Sequence, residues 1–177
     1  MRSRGLPRTY DGDTMSKPPR GATPAIASLE RAGVAHTLHP YVHDPTSPLS
    51  YGLEAAEAIG VPPDQVFKTL VAQADDRLVV AVVPVTGSLD LKALAHALGA
   101  KRAAMADADD AARATGYVVG GISPFGQRRR LATVVDASAL THDVVYVSGG
   151  RRGLDLGVAP TDLVRVTGAT TAPIARR

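Results

Sequence analysis

Two apolar runs, residues 66–74 and 78–85, stand a short turn apart at Asp75-Asp76, and no other feature constrains the fold of this chain as much. Both are rich in Val, Leu and Ala, and both have strand length, so the pair reads as an antiparallel hairpin. Strand side chains alternate between faces. In the first run Val66, Lys68 and Leu70 share one face, while Phe67, Thr69 and Val71 take the other. Neither is an obvious solvent face, and Lys68 is the residue out of place. An ammonium among apolar neighbours loses hydration. The chain holds only four lysines against sixteen arginines, so a lysine here departs from its own habit. Two readings stand side by side: a functional cation, or an edge-strand lysine whose head group reaches water.

The elements around the hairpin alternate. Thr23 and Pro24 read as an N-cap and a first-turn proline, opening a helix through Ile26 and Leu29 to a stop at Gly33. A short strand at 36–38 leads into a polar, proline-rich loop at 39–51. A helix at 53–59 is closed by Gly60, and Pro62-Pro63 bars its continuation. After the hairpin come a helix at 90–98 ending at Gly99, a strand at 102–105 and an Ala-rich helix at 107–114. Strands follow at 131–135, 144–147 and 154–158, and Thr161 reads as the cap of a last helix through Val166. No repeat has a fixed period. The order predicts an α/β domain over residues 21–177, with a mixed, barrel-like β-sheet flanked by helices.

At 177 residues with 4% aromatics and no Trp, the core must be built from Val, Leu, Ile and Ala. The absence of cysteine excludes disulfides, thiolate metal sites and a cysteine nucleophile in the protein itself. No apolar run has the length to span a membrane and no stretch has the form of a signal peptide, so a cytoplasmic protein is expected. Residues 1–20, with three prolines and little apolar periodicity, read as a disordered extension. They carry a net charge of +3, equal to the formal charge of the whole chain, so the remainder is neutral. Net charge therefore does not argue for a nucleic-acid partner. Local clusters could offer such a surface: Arg128-Arg129-Arg130, Arg151-Arg152 and Lys101-Arg102, although a charge run is more often a solvated face.

Two glycine-rich loops are candidates for holding a ligand. In Gly120-Gly121-Ile122-Ser123-Pro124-Phe125-Gly126 paired glycines permit close approach to the backbone and let amides converge on an anion. The segment lacks the Gly-Lys-Ser/Thr of a phosphate-binding loop and the Gly-x-Ser-x-Gly of a nucleophile elbow. Ser148-Gly149-Gly150-Arg151-Arg152-Gly153 is the second. Each is also compatible with an ordinary glycine turn. His36, His39, His43 and Asp44 do not make a metal motif, because Pro40 and Pro45 break any helix that would align them. No metal or other cofactor is expected.

Taken together, these segments resemble a known family. Val66-Phe67-Lys68-Thr69-Leu70, Gly116-Tyr117-x-x-Gly120-Gly121-Ile122-Ser123-Pro124-x-Gly126 and Tyr146-Val147-Ser148-Gly149-Gly150-x-Arg152-Gly153-Leu154 look like the YbaK branch of the prolyl-tRNA synthetase editing-domain superfamily. Thr23-Pro24-Ala25 and Tyr41-x-His43-Asp44-Pro45 fit the same pattern, and the match runs from about Thr23 to Val166. The resemblance implies a free-standing aminoacyl-tRNA deacylase that clears Cys-tRNA(Pro), and also Cys-tRNA(Cys). An Ala-tRNA(Pro) deacylase and a non-catalytic tRNA- or synthetase-binding module are the alternatives. It places the essential lysine at Lys68, the substrate loop at Gly120 to Pro124, and pocket-lining roles at Tyr41, Tyr51, Gly121, Ser148 and Asp155. It implies that the substrate's own thiol attacks the ester. The expected partners are aminoacyl-tRNA, chiefly tRNA(Pro), and prolyl-tRNA synthetase in a ternary complex, with no membrane. Arg128, Arg129, Arg130, Arg151 and Arg152 are the candidate tRNA contacts.

Overall fold

A computed structural model describes residues 9–10 and 22–177. Eleven strands and five α-helices follow one another as β1 (Thr9–Tyr10), α1 (Pro24–Arg31), β2 (His36–Pro40), α2 (Tyr51–Ile59), β3 (Phe67–Ala74), β4 (Arg77–Pro84), β5 (Ser88–Leu89), α3 (Leu91–Leu98), β6 (Ala103–Met105), α4 (Ala108–Thr115), β7 (Ala132–Asp136), β8 (Val145–Arg151), β9 (Leu154–Val158), α5 (Pro160–Thr167), β10 (Thr170–Ala172) and β11 (Ala175–Arg176). The expected disordered extension lies outside the described residues, apart from β1, which pairs antiparallel with β2.

The strands form two main sheets. One is antiparallel in the order β1-β2-β9-β8. The other is mixed, in the order β10-β7-β4-β3-β6, and β11 and β5 form a separate short pair. β3 and β4 are the expected hairpin, in register from Phe67 opposite Pro84 to Ala74 opposite Arg77. β7 runs parallel to β4 and to β10, which makes the second sheet mixed. The sheets touch at a parallel bridge between Val66 and Tyr146. The ladders among the described residues do not close into a barrel, so the barrel-like expectation holds only as a loose description of two sheets meeting along one seam.

The second sheet is covered on both faces, as the two-sided apolar pattern of β3 and β4 requires. Phe67, Val71, Val80 and Val82 pack with Val147, Leu156 and the buried sides of α1 and α4. Ala72, Ala74, Val79, Ala81 and Val83 pack with Leu94 of α3 and with Ile174. Lys68 lies on this second face, opposite Val83 of β4.

Helix starts follow the local chemistry. The hydroxyl of Thr23 accepts from the amide of Ile26, and the carboxylates of Asp90 and Asp107 do the same for α3 and α4. The last helix differs from expectation. Thr161 is not its cap; Ala159 holds that position, makes no side-chain cap bond, and Pro160 is the first helical residue. A proline at the first position has no N–H to satisfy and presets the helical φ, so the start moves ahead of the threonine.

Candidate active site

β3 pairs with β4 along its whole length but with β6 only at Ala72–Ala74. Ala106 N–H adds one bond to Val71 O. At its other end Val66 bridges to Tyr146. Between these points, residues 67–70 present a strand edge that no ladder among the described residues covers. A cavity of about 250 Å³ opens along this edge. Tyr41, Tyr51, Lys68, Gly120, Ser148 and Asp155 all line it. Six of the seven residues singled out around Lys68 are thus brought together from positions 41 to 155. Gly121 is not. Its amide donates to Val118 O at 2.9 Å, and it packs on the backbone of Arg151.

Two ionisable groups of opposite type face this space. Lys68 is half-buried, makes no hydrogen bond or ion pair among the described residues, and burial lowers its pKa below the ordinary lysine value. Asp155 is only 6% exposed, and burial pushes its carboxyl up from 3.8 to about 7. It sits on β9, directly opposite Ser148 of β8 and His39 of β2, and its carboxylate has no hydrogen-bond partner among the described residues. Burial, with the charges of Asp155 and Glu54, raises the Tyr41 hydroxyl to about 12, so it stays a proton donor at neutral pH. Thr69, which also lines the cavity, buries a hydroxyl that has no hydrogen-bond partner among the described residues.

The mouth is held by polar contacts. Glu54 of α2, itself buried, accepts from Asp44 N–H at 2.6 Å and meets His43 Nδ1 at 2.9 Å. This fastens the loop after β2 to α2 and sets Tyr41 and Tyr51 at one rim. Beside Tyr51, Gly120 has φ +86°, a conformation a side chain resists. A Cβ there would lie 2.9 Å from Arg152 Nε and from the Tyr51 ring. Around the opening Tyr51, Met105, Val118 and Val119 are exposed apolar side chains.

No histidine lines the cavity, and Ser148 Oγ faces only the amide of Gly150, at 3.2 Å. Among the described residues that line the cavity, no nucleophile is paired with a base. No group of His, Asp and Glu among the described residues could hold a metal ion. His36, His39 and His43 instead bond Val34 O, Thr37 and Glu54.

The candidate tRNA contacts divide. Arg128, Arg129, Arg130, Arg151 and Arg152 are all exposed, and what divides them is the contacts they make. Arg128 lies against Gly116, which ends α4, and Arg130 against Gly168, which ends α5, where the helix dipoles favour cations. The side chain of Arg152 turns toward the cavity rim: Nε and Nη2 donate to Val119 O at 3.1 and 2.7 Å, and the guanidinium lies 4.8 Å from the Tyr51 ring centre.

The sequence profile of the aminoacyl-tRNA editing domain matches residues 48–166, two thirds of the chain. The chain belongs to the aminoacyl-tRNA editing domain family. The motifs around Lys68, Gly120 and Ser148 pointed to it correctly. EbsC of Enterococcus faecalis, provisionally named a Cys-tRNA(Pro)/Cys-tRNA(Cys) deacylase, is 37% identical over 120 residues, covering 67% of this chain and 73% of EbsC. A proline–tRNA ligase of Shouchella clausii is 42% identical over 74 residues, 41% of this chain but only 13% of the ligase. The fold is shared with a solved protein described provisionally as a trans-editing enzyme for prolyl-tRNA synthetase. There the TM-score is 0.78 at 24% identity, over 92% of this chain and all of that one. The hypothetical protein APE2540 gives 0.77 at 26% identity, over 87% of this chain and all of that protein. No helix among the described residues is long and apolar enough to cross a membrane.

Proposed function

We propose that this editing domain acts in trans as a deacylase of Cys-tRNA(Pro), and of Cys-tRNA(Cys) as a second substrate. The observation that carries the reading is a cavity lined by a lysine without a partner among the described residues, a buried carboxyl and Gly120 of the glycine loop, but by no nucleophile with a base. Such a site suits a reaction whose nucleophile arrives with the substrate. The cysteinyl sulfur attacks its own ester carbonyl, and the carbon–oxygen bond to the terminal ribose breaks. The tRNA leaves with its 3′-terminal hydroxyl, taking up the proton that the thiol gave away, and the amino acid departs as a cyclic thiolactone that water opens. Well-oriented intramolecular attack has an effective molarity on the order of 10⁵ M or more, so the protein's task is to fold the substrate and stabilise charge.

The residues divide that task by chemistry. The Lys68 ammonium, short of hydration and without a partner, stabilises negative charge on the carbonyl or holds the terminal ribose. The Asp155 carboxylate takes the α-ammonium of the aminoacyl group. Gly120, which lines the cavity, admits the ester close to its backbone, and its amide makes no hydrogen bond among the described residues. The neighbouring amide of Gly121 is already committed to Val118, so Gly120 alone of the pair is available for an oxyanion. The exposed apolar rim receives the terminal nucleoside, and the exposed arginines approach the phosphates of the acceptor arm. Prolyl-tRNA synthetase, as the enzyme that mischarges tRNA(Pro), is the proposed partner in a ternary complex.

Release of amino acid from Cys-tRNA(Pro), Ser-tRNA(Pro), Ala-tRNA(Pro) and Pro-tRNA(Pro) tests this directly. A thiol of pKa about 8.5 is ionised to a few per cent at neutral pH, whereas a hydroxyl is almost never so. Rapid loss of the Cys ester alone, with thiolactone or its hydrolysis product in the mass spectrum, is the expected result. Equal rates on the Cys and Ser esters would show attack by water and overturn the mechanism. Preference for the Ala ester would make this an alanine-clearing enzyme, and no turnover of any ester would leave a binding module.

A further inference from the structure

The turn between β8 and β9 is the fastening point of the cavity. Gly153 O accepts from Tyr41 N–H at 2.8 Å. A Cβ on Gly153, whose φ is +86°, would lie 2.7 Å from Tyr41 O, so only glycine lets the loop after β2 come this close. The backbone of Arg151 packs against Gly121. Arg152, between them, reaches across 33 positions to give two hydrogen bonds to Val119 O and lays its guanidinium on the Tyr51 ring. The last residue of β8 and this two-residue turn thus hold three segments that are distant in sequence.

Arg152 itself does not line the cavity, while Val119, Gly120 and Tyr51 all do. A planar, forked cation is the side chain suited to this task, because it donates in its plane and stacks with its face at the same time. We infer that Arg152 is a positioning residue: it locks the glycine loop against α2 so that Gly120 stands at the distance the ester needs. The charge cluster in which it occurs marks it as a phosphate contact, and the side chain is exposed, but its Nε and Nη2 are committed to Val119 O.

The inference rests on the deacylase reading, and its test has one arm that does not. Arg152→Gln and Arg152→Lys are compared with the unchanged chain by hydrogen exchange and by steady-state deacylation of Cys-tRNA(Pro) at several salt concentrations. In exchange, both variants should speed labelling of residues 117–122 and 51–54 at least tenfold and leave the β3–β4 hairpin unchanged. In catalysis, both should lower kcat at saturating substrate at least tenfold, with KM and its salt dependence little altered. Lysine fails to rescue, since it keeps the charge but loses the fork and the flat face. Unchanged exchange in the glycine loop overturns the inference even if the chain proves not to be a deacylase. So does a rise in KM alone, rescued by lysine, with the salt slope reduced by about one, which is the signature of a phosphate contact.

Discussion

Replacing Asp155 by asparagine should make the protein more stable and less active, and the balance should depend on pH. Asp155 is 6% exposed, and burial holds its carboxyl at about 7 rather than 3.8. Keeping that group ionised in the folded state is therefore disfavoured by roughly 4 kcal/mol, at about 1.4 kcal/mol per pH unit between the folded and unfolded values. Because the folded pKa is raised, the folded chain holds a proton that the unfolded chain releases. Stability contributed by this group is full below about pH 4, falls as pH rises toward 7, and is flat above it. An asparagine in its place has no such dependence. Its amide also loses hydration on burial, by about 1–3 kcal/mol where no partner is found, so the net gain at pH 8 should be about 1–3 kcal/mol. For a domain of this size that raises Tm by about 2–4 °C per kcal/mol. Thermal melts of both proteins at pH 5 and pH 8 measure it: a clear gap at pH 8 should shrink at pH 5. Deacylation should fall at least tenfold, because asparagine cannot pair with an α-ammonium. A variant less stable at pH 8, or a gap independent of pH, would show that the carboxylate has a partner in solution, and the argument from burial would be wrong.

Two further substitutions follow from the same cavity. Lys68→Ala removes a half-buried ammonium that has no partner, so folding should persist while deacylation drops by about 10²-fold or more, comparable to losing one transition-state contact; near-full activity in a folded variant would leave Lys68 a structural lysine. Gly120→Ala forces a Cβ into φ +86° and against Arg152 and Tyr51, which should cost about 1–2 kcal/mol in denaturant titrations and lower activity well beyond that loss; equal losses would mean that the glycine serves only the turn.

Much of this architecture could be read from the chain because its signals are local. Thr23, Asp90 and Asp107 announce their helices by capping, and Asp75-Asp76 divides the hairpin where the ladder turns. Thr161 misled because Pro160 beside it carries a stronger start signal. The strands β5, β10 and β11 went unread for a different reason: with two or three residues each, they have no alternation to see. Asp136 holds the end of the chain by accepting from Ile174 and Ala175 N–H at 2.8 and 3.0 Å, a contact across 38 positions that leaves no mark on either segment. At the site the same division holds. Lys68 stood out because a strand context makes a lysine anomalous. Thr69 did not, since a threonine in a strand is ordinary and only the structure shows its hydroxyl without a partner. Arg152 looked like its neighbours, and nothing in a run of arginines tells which one is folded back onto Val119.

The seam along the free edge of β3 also sets when the site can exist. Its walls include Tyr41, Ser148 and Asp155, with Tyr41 tied to the last hairpin by its bond to Gly153. Closing a chain segment of ~110 residues gives no reward until both ends are in place, and such long-range pairings are formed slowly. During synthesis Lys68 and the β3–β4 hairpin leave the ribosome well before β8 and β9, so the nascent chain carries its lysine without a pocket around it. Recovery of activity on refolding should therefore trail the recovery of helix signal, and track the moment at which the last hairpin docks.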